Sequence, residues 1–180
     1  MKKLLSLISL AVVMMVGLAG NAMAYFEAGN LVRVVYQNNG TVEVATDLGS
    51  WATLGSSSNA TVGDAFSLSQ FSGATYANLN VAYLVLPATT AETYYLSGET
   101  TLAPTNNARA NTTYFNAAGI LKPYYAAFGT STAVADKNAL TSYYAKMDKD
   151  GATVGKFAGF YNATGFGEAN LADLATVGYV

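Results

Sequence analysis

The sequence predicts a mainly β fold: an antiparallel β-sandwich or sheet pair with one packed α-helix at about 131–147 and short helical turns. Three observations carry this. Leu31–Tyr36 and Thr41–Thr46 are rich in β-branched residues and flank Gln37-Asn38-Asn39-Gly40. Asn-Gly between such runs is a strong hairpin signal because both residues accept positive φ. Asn80–Leu86 is almost continuously apolar and halts at Pro87, as a central strand buried on both faces does. In Ser131–Met147, the residues Val134, Lys137, Leu140, Tyr144 and Met147 recur at helical spacing, with Ser131 or Thr132 as N-cap.

The remaining elements follow in chain order. A looser stretch, 47–59, holds the single tryptophan, Trp51. Thr61-Val62-Gly63-Asp64 has the form of a capping box, with Asp in place of Glu, ahead of a short helix carrying Phe66, Leu68 and Phe71. Glu92–Ser97 reads as a strand ending at Gly98. Asn107–Ala118 is compatible with a helix, and Pro123 is expected to interrupt anything longer. Residues 152–157 and 160–161 are strand-like; Gly165, Gly167, Glu168 and Asn170 mark a loop; 171–174 form a turn; and Ala175–Val180 looks like the start of a strand. No composition break divides 25–180, so a single β-rich domain is expected. No fixed-period repeat suggests a solenoid.

Residues 1–24 read as a signal peptide. Lys2 and Lys3 form a basic start, Leu4–Leu18 is apolar, and Ala22 and Ala24 are the small residues that signal peptidase needs at −3 and −1. The apolar run is shorter than the roughly 20 residues that cross a bilayer. Cleavage before Tyr25 would leave no membrane span, and the expected location is secreted, extracellular or cell surface, or the periplasm. The 180-residue chain has no cysteine, which removes a lipid anchor and a disulfide framework, and it is long enough to bury a core without them. Losing Lys2 and Lys3 from nine basic residues against eleven acidic ones takes the formal charge from −2 to −4. No basic cluster then remains for nucleic acid. Charged residues are 11% of the chain, well under the usual quarter, so little charge guards exposed strand edges against pairing.

Gly29-Asn30-Leu31, Leu48-Gly49-Ser50, the apolar run at 80–86, the aromatic run at 92–97 and the Gly-rich segment DGATVGKFAGFYNATGFG occur in one order. In these features the chain resembles secreted bacterial surface proteins of the PEP-CTERM-associated type. The resemblance implies a surface or matrix location, and no reaction. It departs at the end, where the Pro-Glu-Pro-like tripeptide, hydrophobic helix and basic tail of those proteins do not occur. An ending on Gly178-Tyr179-Val180, read as mid-strand, points to an unanchored relative or to C-terminal truncation.

With no histidine and no cysteine, Ser-His-Asp and Cys-His nucleophiles and Cys/His metal sites are out, and no catalytic residue or cofactor is assigned. Asp148 and Asp150, before Gly151, match only part of a calcium loop. The position that needs a Glu is Phe157, so a turn is the better reading and metal the weaker one. Among thirteen tyrosines, the pairs Tyr94-Tyr95 and Tyr124-Tyr125 are the candidate ligand-facing aromatics. A tyrosine offers a flat apolar face with a polar tip, and plain packing is the competing reading. Four Asn-x-Thr sites, at Asn39, Asn59, Asn111 and Asn162, are best explained by chance. The function expected from these features is a non-catalytic secreted surface or matrix protein acting in adhesion or self-association through an open edge strand. A soluble glycan-binding module, with polysaccharide as partner, is the alternative. A carboxylate-dependent extracellular hydrolase is third.

Overall fold

Asn30–Gln37 alternates two apolar sets, Val32/Val34/Tyr36 and Leu31/Val35, and a strand with both sides apolar belongs inside a sheet. In the computed structural model, which describes residues 25–54, 63–89, 110–147 and 168–172 (side chains at 110–113 excepted), this strand is the centre of a five-stranded sheet. It is β1. The others are β2 (Val42–Ser50), β3 (Leu79–Val85), β4 (Thr132–Asp136) and β5 (Ala169–Asn170), in the order β4-β2-β1-β3-β5 with every neighbouring pair antiparallel. The fold is therefore mainly β. The described residues contain this one sheet, which is compatible with a sandwich. The central place predicted for 80–86 falls to β1 instead.

The hairpin of β1 and β2 forms where Asn39-Gly40 predicts it, with Tyr36 opposite Glu43. Its turn differs from the expected one, since neither Asn39 nor Gly40 has positive φ. The amide of Gly40 donates to Gln37 O at 3.3 Å, and that of Asn38 to Asn78 O at 3.0 Å. A Cβ at Gly40 would lie 2.1 Å from Gln37 Oε1, so the glycine here makes room for a folded-over side chain. At the far end of β2, Leu48 is an extra residue between Asp47, opposite Val32, and Gly49, opposite Leu31. Gly49 takes φ +94°, the conformation that such a bulge asks of glycine.

One face of the sheet is covered by α2 (Ala110–Ala126); a single short turn, α1 (Trp51–Leu54), follows β2. Tyr114, Ala118, Leu121 and Tyr125 recur at four, three and four residues and are all buried, one stripe of a helix. Beneath it, Ala133, Ala45, Val34 and Ala82 lie side by side across four strands. These small side chains form a low floor, and all of them belong to one core with the α2 stripe. Pro123, expected to stop the helix, lies inside it. Its ring removes a bond to the carbonyl of Gly119, and both residues are on the exposed side of the helix, where a carbonyl freed from that bond is not shut away from solvent.

The opposite face carries a row of valines: Val134, Val44, Val35 and Val81, continued by Ala169, pair in sequence across all five strands. Phe71 packs on its middle together with Leu79 of β3 and Leu171, and Phe66 and Leu68 are partly buried against them. Residues 65–71 are not the predicted helix. The segment makes one 3-10 turn, Leu68–Gln70, whose capping box is Ser67 with Gln70 and not Thr61 with Asp64. A second 3-10 turn, Tyr76–Asn78, leads into β3.

The largest correction falls on Ser131–Met147, predicted as one helix. It is β4, a turn, and the four-residue α3 (Tyr143–Lys146). Val134 and Leu140, two members of the predicted apolar stripe, are 46% and 69% exposed, while Ala133 and Ala135 are buried. The burial period is two, and pairing with β2 overrides the helix preference of alanine. Ser131 is no N-cap; Ser142 caps α3, accepting from Ala145 N at 3.0 Å. Asn170, read as loop, pairs with Asn80 in β5. The predicted strands at 92–97, 152–157 and 160–161 and the strand start at 175–180 lie outside the described residues.

Candidate functional site

Strand β2 alternates Val42, Val44 and Thr46 on the valine face with Glu43 and Ala45 on the α2 face. Period-two alternation thus carries a carboxylate under the helix, and Glu43 is fully buried. Its Oε1 accepts from the Tyr125 hydroxyl at 2.6 Å and from Tyr143 N at 3.1 Å, and its Oε2 accepts from Tyr144 N at 3.2 Å. The Tyr143 amide also donates to the Tyr125 hydroxyl at 3.0 Å. Glu43 thereby joins sheet, α2 and the first turn of α3. Burial pushes its carboxyl up to about 7, against the opposing pull of these donors and of the Lys137 charge. Burial and the neighbouring Glu43 charge push the Tyr125 phenol well above its ordinary value.

Lys137 follows β4 directly and is turned inward. Its ammonium donates to Gln37 O at 2.6 Å and Asn38 O at 2.8 Å, and sits 4.2 Å from the centre of the Tyr144 ring. It therefore pins the β1–β2 turn and explains its departure from the two-residue form. Tyr36 stacks at 5.5 Å on Tyr144 and 6.1 Å on Tyr143, and the Tyr143 hydroxyl donates to Glu168 Oε1 at 2.9 Å.

Two further carboxylates organise main chain. Asp47, on the bulge, accepts from Phe26 N, from Gly49 N at 2.8 Å and from Asn30 Nδ2 at 2.9 Å. It draws the fragments GNL and DLGS to one end of the sheet, held also by Trp51 N donating to Gly29 O at 2.8 Å. Asp64 Oδ2 accepts from the Ser131 hydroxyl at 2.6 Å, and Arg33 Nη2 donates to Asp64 O. Both carboxylates spend their hydrogen bonds on the chain itself, while the buried Arg33 Nε has no hydrogen-bond partner among the described residues. In the Glu43 cluster, the carboxyl pushed up to about 7 is the group that can hold or release a proton near neutrality, with the Tyr125 hydroxyl donating to it. Glu43, Tyr125 and Tyr143 present no surface, and Lys137 is 3% exposed, so the cluster offers no face to a substrate.

Of the predicted aromatics, Tyr125 is a core residue and faces no ligand. Tyr124 is half-buried, donates to Asp136 O at 3.1 Å, and meets the Tyr125 ring at a tilt and the Phe128 ring edge-on. Both lie on a helix, where adjacent residues diverge by about 100°, not on a strand. Tyr94, Tyr95, Asp148, Asp150, Ala22 and Ala24 lie outside the described residues. Among those described, no group of three or more acidic residues is placed to hold a metal, and no helix is long and apolar enough to cross a membrane. Sequence reasoning missed Glu43, Lys137 and Asp47. The signal for Glu43 was its place between Val42 and Val44 in a strand with two apolar neighbours. Comparison with protein families, with characterised proteins and with solved structures yields no match.

Proposed function

We propose that this is an exported, non-catalytic surface or extracellular-matrix protein that works by associating with itself. One observation supports this reading above the others: among the described residues, α2 lies over one face of the sheet and the 66–74 segment over the middle of the other, while the edge strand β4 carries no further strand. The signal-like residues 1–24, the low charge and the resemblance to PEP-CTERM-associated proteins point the same way. The test is expression of the full sequence in a bacterium. Exported material should begin at Tyr25, grow in mass with concentration by light scattering, and form assemblies under negative stain. Material that begins at Met1, or stays monomeric at every concentration, sinks the reading.

A soluble glycan-binding module has one observation of its own. Tyr83 is exposed and sits across from Arg33 on the valine face, a ring beside a cation. Polysaccharide binding that is lost in Tyr83→Ala would favour it.

A further inference from the structure

We infer that the docking surface is the outer edge of β4, that its occupant is β4 of a second copy, and that the two strands pair antiparallel about a two-fold axis at Val134. The inference rests on the self-association reading and names its contact.

The hydrogen-bonding pattern comes first. Asp47 N donates to Ser131 O at 2.8 Å and Lys137 N to Thr41 O at 2.7 Å. In an antiparallel ladder, bonded positions alternate, so residues 131, 133, 135 and 137 face β2 while 132, 134 and 136 aim their amides and carbonyls outward. Two of those outward carbonyls are engaged: Thr132 O by the Thr130 hydroxyl at 2.8 Å, and Asp136 O by both the Tyr124 hydroxyl and the Ala139 amide at 3.1 Å. Among the described residues Val134, between them, has its outward amide and carbonyl open. A two-fold axis there lets each Val134 exchange both bonds with its copy. The same register sets Thr132 against Asp136 of the other chain, where Thr132 O keeps a second lone pair to accept the Asp136 amide with, while Asp136 O is already filled by its own chain.

The side chains point to the same partner. The row Val81-Val35-Val44-Val134 runs to the sheet edge and stops with Val134 46% exposed. Pairing Val134 with Val134 continues that row into the second sheet. Edges are normally guarded by an outward lysine, but here Lys137 is turned in upon Gln37 and Asn38. The one charge on β4 is Asp136, and this register keeps the two copies of it apart. A strand whose central residue is open in both backbone groups, and whose apolar row and separated charges match its own copy, calls for that copy.

The chain has no cysteine, so single cysteines in the full 180-residue protein read the contact directly. Across a bonded pair the Cα atoms lie about 5.5 Å apart, within disulfide range. Val134→Cys should give a disulfide-linked dimer on mild oxidation. Thr132→Cys alone and Asp136→Cys alone should not, because each pair of equivalent positions is offset by about 13 Å along the strands, whereas a mixture of the two variants should cross-link. Val134→Lys sets like charges opposite each other and should weaken dimerisation on the order of tenfold. Undiminished association of Val134→Lys, with no cross-link through Val134→Cys, would overturn this contact and leave self-association standing through another surface. Equal cross-linking by all three single variants would overturn the register. A monomer at every concentration, as when the chain's own residues 152–157 cover the edge, would overturn both the contact and the reading it rests on.

Discussion

On the α2 side of the sheet, buried rings end in hydroxyls and the backbone of α3 ends on a buried carboxyl, whereas on the opposite side Val35, Val44, Leu79 and Val81 meet Phe71 with hydrocarbon alone. The difference teaches what each covering specifies. Apolar contact is non-directional and tolerates repacking, so the valine face sets how firmly the 66–74 segment is held but not its detailed seat. Around Glu43, three donors converge on one carboxyl at fixed geometry, and a buried donor left unmet costs about 1–3 kcal/mol. That side fixes the angle at which α2 and α3 meet the sheet.

Glu43→Ala tests this most severely. It leaves the Tyr125 hydroxyl without its carboxylate, takes one acceptor from each of the Tyr143 and Tyr144 amides and opens a cavity, and should destabilise by about 4 kcal/mol. A urea midpoint near that of the unsubstituted protein would end the contrast between the faces. Phe71→Ala should cost about 3 kcal/mol, while Phe71→Leu, also apolar, should cost about half as much. Equal losses in the two would mean that the valine face is specified as tightly as the other.

Acidity separates the faces as well. A carboxyl held at about 7 when folded, against about 4.5 when unfolded, binds a proton more readily in the native state. Its stabilisation is therefore complete below about 4.5 and is lost as pH rises to about 7. Stability should fall by on the order of 2 kcal/mol between pH 5 and pH 8. In Glu43→Gln this slope should vanish; a slope that persists there would place the titrating group elsewhere. The smallest effect belongs to Tyr125→Phe, which keeps the ring and loses the hydroxyl, at about 1–2 kcal/mol. Thermal unfolding of that variant should also show a steeper pH slope, since the hydroxyl's bond to the carboxylate holds the Glu43 carboxyl down and its loss lets burial push it higher.

Local signals decided part of this fold. Alternation and Asn39-Gly40 were enough for the β1–β2 hairpin, and the apolar run before Pro87 was enough for β3, because a turn and its two strands meet within a few residues of chain. Tertiary structure decided the rest. Ala133-Val134-Ala135 suits either a helix or a strand by composition, and only pairing with β2, some 90 residues earlier, made it β4. Pro123 forbids a helix by local rule, and only the exposed placement of Gly119 and Pro123 makes one affordable. Glu43 reads as a solvent residue until α2 is laid over it, and Lys137 reads as a guard of the edge until Gln37 and Asn38 turn it inward. In each case the partner is distant in sequence, so the free energy that chose the outcome lies in contacts that no local window contains.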